Sequence, residues 1–196
     1  MTRVLKYTSD ASELLKLPGS VGVLLTDTIY GLVASAADQE AVARLYALKG
    51  REQKPGTVIA ADIDQLVSLG IPRRYLTPVS QYWPNPISIV VPTNPSLSYL
   101  DLGKFSLAVR VPTDPTVHEM LINTGPLLTT SANHPTEVPA QNFTQAQQYF
   151  GDSVDFYVDS GEVTKPASTI IRIVDDAVEV LREGSIKLNE KGEIIL

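Results

Sequence analysis

Apolar runs of strand length alternate along this chain with stretches of helical spacing, and proline or glycine punctuates many of the junctions. That alternation is the pattern of an α/β domain and argues against a β-sandwich or a helical bundle. Strands are predicted over 21–25, 57–61, 87–91, 107–111, 127–129 and 156–158, with 168–174 and 178–181 paired across Asp175 and Asp176. Asp10, with Glu13 three residues on, is placed to cap a short helix that Pro18 and Gly19 end. Asp38 opens a second helix, in which Ala41, Leu45 and Leu48 share a face and Gly50 supplies the stop. Further helices are expected over 63–69, over 75–83 up to Pro84, from Asp114-Pro115 to about 123, and over 144–150. The stretches 26–32 and 93–104 read as loops, the latter on the surface, and 131–142 has no period. Trp83 reads as a core anchor.

Composition narrows the function classes. With 196 residues, 43% of them hydrophobic, the chain can bury the core of one domain. A formal net charge of −6 disfavours a protein built to coat phosphate backbones, so RNA binding is expected to be weak or absent. No cysteine is present, which excludes thiol nucleophiles and thiolate metal sites. No apolar run suits a signal peptide or a spanning helix, so a soluble cytoplasmic domain without membrane contact is the expectation. The only histidines, His118 and His134, make a histidine metal cluster improbable, and the common phosphate-loop, dinucleotide and hydrolase motifs are absent.

What the chain does concentrate is hydroxyls and isolated cations near the ends of predicted elements. These are Thr26, Thr28 and Tyr30; Lys49, Arg51 and Lys54; Arg110; Thr129, Thr130, Ser131 and Asn133; Ser168 and Thr169; and Arg182. In open α/β sheets ligands bind outside the carboxyl ends of strands, where such segments can converge. Arginine forks suit carboxylate and phosphate, and lysine suits phosphate as a point charge, so a small polyanionic ligand is expected. Simpler readings compete. Lys49 and Arg51 could be helix-end cations worth about 0.3–1 kcal/mol, Thr26, Thr28 and Ser131 could be turn formers, and Arg182 could snorkel from a strand end. Arg110 resists such a reading, because an unpaired guanidinium is costly beside Leu107, Ala108 and Val109.

In order along the chain, these segments resemble the threonylcarbamoyl-AMP synthase family, also called the YrdC or TsaC family. The resemblance rests on Thr26-Asp27-Thr28-Ile29-Tyr30-Gly31-Leu32, on Leu48-Lys49-Gly50-Arg51 followed by Lys54-Pro55, and on Trp83-Pro84-Asn85-Pro86. Ala108-Val109-Arg110-Val111-Pro112, Thr130-Ser131-Ala132-Asn133, Ser168-Thr169-Ile170 and Leu181-Arg182-Glu183-Gly184 complete it. The chain departs from the family pattern at Leu25, Glu52, Asn85 and Ser88, in a shorter Arg51 to Lys54 spacing, and in the loop 134–138.

The resemblance implies a single YrdC-like α/β domain over 1–196, in the short form, with a peripheral tail after about 185. It implies a twisted mixed parallel/antiparallel sheet flanked by helices, with an open ligand groove. The implied reaction joins L-threonine, bicarbonate and ATP to threonylcarbamoyl-AMP and pyrophosphate, for N6-threonylcarbamoyladenosine in tRNA. Mg²⁺ would arrive with the nucleotide, and a separate tRNA threonylcarbamoyl transferase complex would accept the product. By the same resemblance, Lys49, Arg51, Ser131 and Asn133 are the catalytic candidates. Arg51, Lys54, Ser106, Ser131, Asn133 and Arg182 would bind ATP, and Thr26, Thr28, Tyr30, Arg110, Thr129 and Ser168 would bind threonine. Two alternatives stay open: a carbamoyl-adenylating relative without threonine specificity, and an RNA-binding module.

Overall fold

Strands that carry apolar side chains on both faces must be covered on both sides. The computed structural model describes residues 2–50, 54–175 and 177–195. Its main sheet contains β1 (Arg3–Leu5), β2 (Val21–Leu25), β3 (Tyr30–Ser35), β4 (Thr57–Ile59) and β5 (Ile87–Pro92). It continues with β6 (Ser106–Arg110), β7 (Leu127–Ser131), β8 (Phe156–Val158), β9 (Thr169–Val174) and β10 (Ala177–Arg182). The spatial order is β1-β8-β2-β3-β7-β4-β6-β5-β9-β10. The pairs β1/β8, β8/β2, β4/β6 and β5/β9 are parallel and the others antiparallel, the mixed sheet expected.

Period-two alternation sorts the core into two layers. Val23, Leu32, Val58, Val109, Leu128 and Tyr157 face one core, to which α2 (Gln39–Leu48) contributes Ala41, Val42 and Leu45. α3 (Ile63–Leu69), α4 (Arg73–Leu76), α5 (Ser98–Asp101) and α7 (Phe143–Phe150) lie against that core. Leu24, Val33, Ile59, Leu127, Phe156 and Val158 face the other, beneath α1 (Ala11–Leu15) and α6 (Pro115–Thr124). The second core takes no residue from β5, β6, β9 or β10. Half of one sheet face is therefore left without a helical cover. By alternation that face carries Gly31, Thr57, Ser88, Ala108, Thr129 and Ser131, all small, together with Val90, Arg110 and Ile170.

The helix starts follow their caps. The Asp38 carboxylate accepts from the Glu40 and Ala41 amides at 2.9 and 3.1 Å, Asp62 from Gln65 at 2.8 Å, Asp114 from Thr116 and Val117 at 2.9 and 3.0 Å, and the Asn142 side chain from Gln145 at 3.0 Å. Asp10 departs from the expectation. It makes no side-chain cap, because it already has helical dihedrals at the end of a 3₁₀ turn (Thr8–Asp10).

Three other local expectations are corrected. The loop expected over 26–32 ends at Ile29, because Tyr30 onward pairs with both β2 and β7. The 93–104 stretch contains a 3₁₀ turn (Pro95–Leu97) and α5, and buries Leu97, Leu100 and Asp101. The helix expected over 75–83 is split into α4 and a 3₁₀ turn (Ser80–Tyr82), and Trp83 is extended, its Nε1 donating to the Ile87 carbonyl at 2.8 Å. After Arg182, β11 (Lys187–Leu188) and β12 (Ile194–Ile195) form a small ribbon. Ile186, Leu188 and Ile194 pack on the first core. Among the described residues no helix is long and apolar enough to cross a membrane.

Candidate active site

The uncovered half-face is a groove because its strand residues are too small to fill it. At Gly31 a methyl group would stand 2.5 Å from Thr129 Oγ1, so the absence of a side chain there keeps the strand surface open. A cavity of about 140 Å³ results, lined on the sheet by Gly31, Thr57, Arg110, Thr129, Thr130, Ser131, Ile170 and Arg182. The turn after β2 adds Thr26, Thr28 and Ile29, the segment before β4 adds Pro55 and Gly56, and the segment before β9 adds Ala167 and Ser168. The expected convergence occurs: Thr26 and Thr28 follow the carboxyl end of β2, Arg110, Ser131 and Arg182 end β6, β7 and β10, and the cavity spreads from there onto the face of the sheet. The reason is that α1 and α6 cover only the other half of that face.

Hydroxyls and guanidinium groups are wired together around this cavity. Thr26 Oγ1 donates to the Ile29 carbonyl at 2.9 Å and lies 3.3 Å from Thr28 Oγ1, which fixes the turn. Arg110 donates from Nη2 to Asp27 Oδ1 at 2.7 Å and from Nη1 to Ser88 Oγ at 3.0 Å. Ser88 Oγ is 3.0 Å from Ser168 Oγ. Arg182 grips the Ser168 carbonyl from Nη2 and Nε, at 2.7 and 3.2 Å, and reaches Ser168 Oγ at 3.2 Å. Burial lowers the Arg110 pKa against the opposing pull of Asp27, and burial followed by the charge of Arg110 lowers that of Arg182. Two guanidinium groups and the single carboxylate of Asp27 thus leave a net positive charge at the cavity, which an anionic ligand relieves.

Lys49, at the exit of α2, stands behind the wall. Its ammonium donates to the carbonyls of Ser131 and Asn133 at 3.1 and 2.8 Å and to Asn133 Oδ1 at 3.0 Å. Ser131 Oγ donates to the same Asn133 Oδ1 at 2.5 Å. The Asn133 amide nitrogen donates to the carbonyls of His134 and Glu137 at 2.9 and 2.8 Å. Lys49 and Asn133 therefore fix the Thr130–Asn133 turn that presents Ser131.

Of the expected site residues, Thr26, Thr28, Arg110, Thr129, Ser131, Ser168 and Arg182 line the cavity together. Lys54 is exposed, next to the lining residue Pro55. Arg51 lies outside the described residues. Lys49 and Asn133, expected among the catalytic residues, do not line the cavity but brace the turn behind it, and two further expectations are corrected. Tyr30 does not line the cavity: its ring is fully buried, and its hydroxyl accepts from the Ser160 amide at 2.9 Å and donates to the Gly161 carbonyl at 2.8 Å, anchoring the 159–168 strap. Ser106 is at the opposite end of β6 from Arg110, roughly 13 Å along an extended strand, and takes no part in the cavity. Gly56 and Thr57, which line it, and Asp27 and Ser88, which hold Arg110, were not among the expected site residues. A signal for Asp27 existed: a guanidinium in an apolar strand demands a carboxylate.

The Sua5/YciO/YrdC family model, described as telomere recombination, matches residues 16–184. The threonylcarbamoyl-AMP synthase of Pseudomonas paraeruginosa is 37% identical over 141 residues, covering 70% of this chain and 76% of that protein. That of Halorhodospira halophila is 32% identical over 162 residues, covering 80% and 84%. A double variant of P. abyssi Sua5 superposes with a TM-score of 0.85 at 25% identity, over 99% of this chain. The match spans 65% of that Sua5 chain.

Proposed function

Because the chain belongs to the Sua5/YciO/YrdC family, we propose that it is an L-threonylcarbamoyladenylate synthase, a nucleotidyltransferase using L-threonine, bicarbonate and Mg-ATP. The observation that carries this reading is the small cavity in which five threonines and two serines face the guanidinium groups of buried Arg110 and exposed Arg182. At about 140 Å³ it is smaller than the roughly 300–1,000 Å³ of a drug-sized ligand site. It suits an amino acid, with the nucleotide extending along the open face. The relatives that match most of this chain carry the same activity in their names.

In the reaction, the threonine amine and bicarbonate form a carbamate with loss of water. A carbamate oxygen then attacks the α-phosphorus of ATP, the bond to the β-phosphate oxygen breaks, and pyrophosphate leaves. Positioning and charge stabilisation carry such a step, so no histidine or cysteine is required. Thr26, Thr28, Thr129 and Ser168 orient threonine, and Arg110 takes its carboxylate. Ser131, Lys54, Arg51 and Arg182 meet the phosphates, with Lys49 and Asn133 holding Ser131 in place. Mg²⁺ enters as part of the nucleotide. On this reading residues 1–196 act as one domain inside the cell, and the adenylate passes to a separate tRNA threonylcarbamoyl transferase complex.

The test is pyrophosphate release from Mg-ATP by the purified chain, with and without L-threonine and bicarbonate. Release that needs both is the expected result. Release driven by carbamoyl phosphate without threonine would replace this reading with that of a carbamoyl-adenylating relative. Salt-sensitive RNA binding without release would replace it with an RNA-binding module.

A further inference from the structure

The two guanidinium groups of the cavity differ in how their charge is answered. Arg110 is paired with Asp27, and the two side chains are 4% and 1% exposed. Asp27 does not line the cavity. It stands behind Arg110, its Oδ2 has no hydrogen-bond partner, and its charge is therefore directed at Arg110. Asp114, Glu162 and Lys165 share a neighbouring hollow with Asp27, but all three are at least partly exposed, and water screens them. Arg182, linked to Arg110 through the hydroxyls of Ser88 and Ser168, is itself bonded only to Ser168, a neutral residue, and forms no ion pair among the described residues. The buried fork is thus neutralised with donors to spare, and the more exposed one keeps its net charge.

We propose that Asp27 is a specificity-determining residue: by cancelling Arg110 from behind, it restricts the inner end of the cavity to a singly charged carboxylate and leaves phosphate groups to the Arg182 end. The inference rests on the threonine and ATP reading above and adds the reason why two arginines in one cavity need not take the same ligand. A neutral ion pair still donates hydrogen bonds to a carboxylate, whereas a multiply charged phosphate gains most from a cation with no counter-charge. Asparagine at position 27 can still accept the Arg110 bond through its side-chain oxygen, so Asp27→Asn removes the charge and preserves the geometry.

Inorganic phosphate is the probe. In the wild-type protein, phosphate is expected to compete with ATP and not with L-threonine. In Asp27→Asn it should compete with both, with its inhibition constant against threonine falling by roughly tenfold or more, the scale of one charge-assisted bond. Asp27→Glu, which retains the charge, should keep the wild-type pattern. Thermal melting gives a reading independent of turnover: a fixed phosphate concentration should raise the melting temperature of Asp27→Asn more than that of wild type. Phosphate that competes with threonine in the wild type would overturn the proposal, a result available even if the Asn variant does not fold. So would an Asp27→Asn protein that is folded and responds to phosphate like the wild type. Failure of the synthase reading is a different result, namely a wild type that binds no threonine, and the melting comparison would still judge the charge argument.

Discussion

Gly184→Ala adds one methyl group at a position where only backbone stands in the way. The new Cβ would lie 2.3 Å from the Ala167 carbonyl oxygen and 2.5 and 2.6 Å from the Ser168 carbonyl carbon and oxygen. No side chain can swing aside, so the 182–185 and 167–168 segments must part by about 1 Å to reach ordinary contact. That movement breaks the 2.9 Å bond from the Ser185 amide to the Ala167 carbonyl and loosens the Arg182 grip on Ser168 at 2.7 Å. A neutral hydrogen bond is worth about 0.5–1.5 kcal/mol and a charged one about 1.5–3 kcal/mol, so the expected loss is roughly 2–4 kcal/mol. For a chain of this size that is a drop of about 4–16 °C in Tm. Because Ser168 and Arg182 both line the cavity, the KM values for threonine and ATP should rise together. Calorimetry and pyrophosphate-release kinetics on the same preparation measure both effects. A variant that melts within about 2 °C of wild type with unchanged KM values would refute the claim that this glycine exists to let two backbone segments touch.

Lys49→Met should cost about 1.5–3 kcal/mol by denaturant unfolding, because the Ser131 and Asn133 oxygens lose a charged donor. Its pyrophosphate release should fall more than about tenfold, and unchanged turnover would mean that the Ser131 turn needs no such brace. Tyr30→Phe removes the link to Ser160 and Gly161 and should speed amide exchange and proteolysis within 159–168 while the core keeps its protection. Equal exchange in both proteins would show that the strap is held elsewhere. Burial pushes Tyr46 and Tyr157 up to about 12. Their folded-state protons are lost later than those of the unfolded chain, which ionises near pH 10, so their stabilising contribution is complete below about pH 10 and disappears as pH rises through about 12. An alkaline titration of tyrosinate absorbance should show the two ionising late, and ionisation of all eight tyrosines near pH 10 in folded protein would contradict their burial.

The legible parts of the fold are those encoded locally. Val21–Leu25, Ile63–Leu69 and Phe156–Val158 match their expected bounds because period and punctuation lie within the segment itself. Tyr30–Leu32 reads as loop because its strand character comes from partners outside the segment, the distant Thr130 and Ser131 on one side and the Val23–Leu25 run across a short turn on the other. The same division governs the site. Seven candidate residues are readable from residue type and from the resemblance, since each carries the chemistry that meets a ligand. Ser106 and Tyr30 are misplaced by such a reading because residue type does not reveal which end of a strand, or which side of a loop, faces the groove. Asp27 and Ser88 have no place among the candidates because neither touches the cavity. They act on Arg110, and only the register that brings β5 beside β6, together with the turn after β2, puts them within bonding distance. That a guanidinium beside Val109 must be answered follows from the residue order alone. Desolvation demands a carboxylate but gives it no address, and the address decides the consequence: placed behind the arginine rather than within the cavity, the acid leaves room for a ligand and still sets the charge that ligand meets.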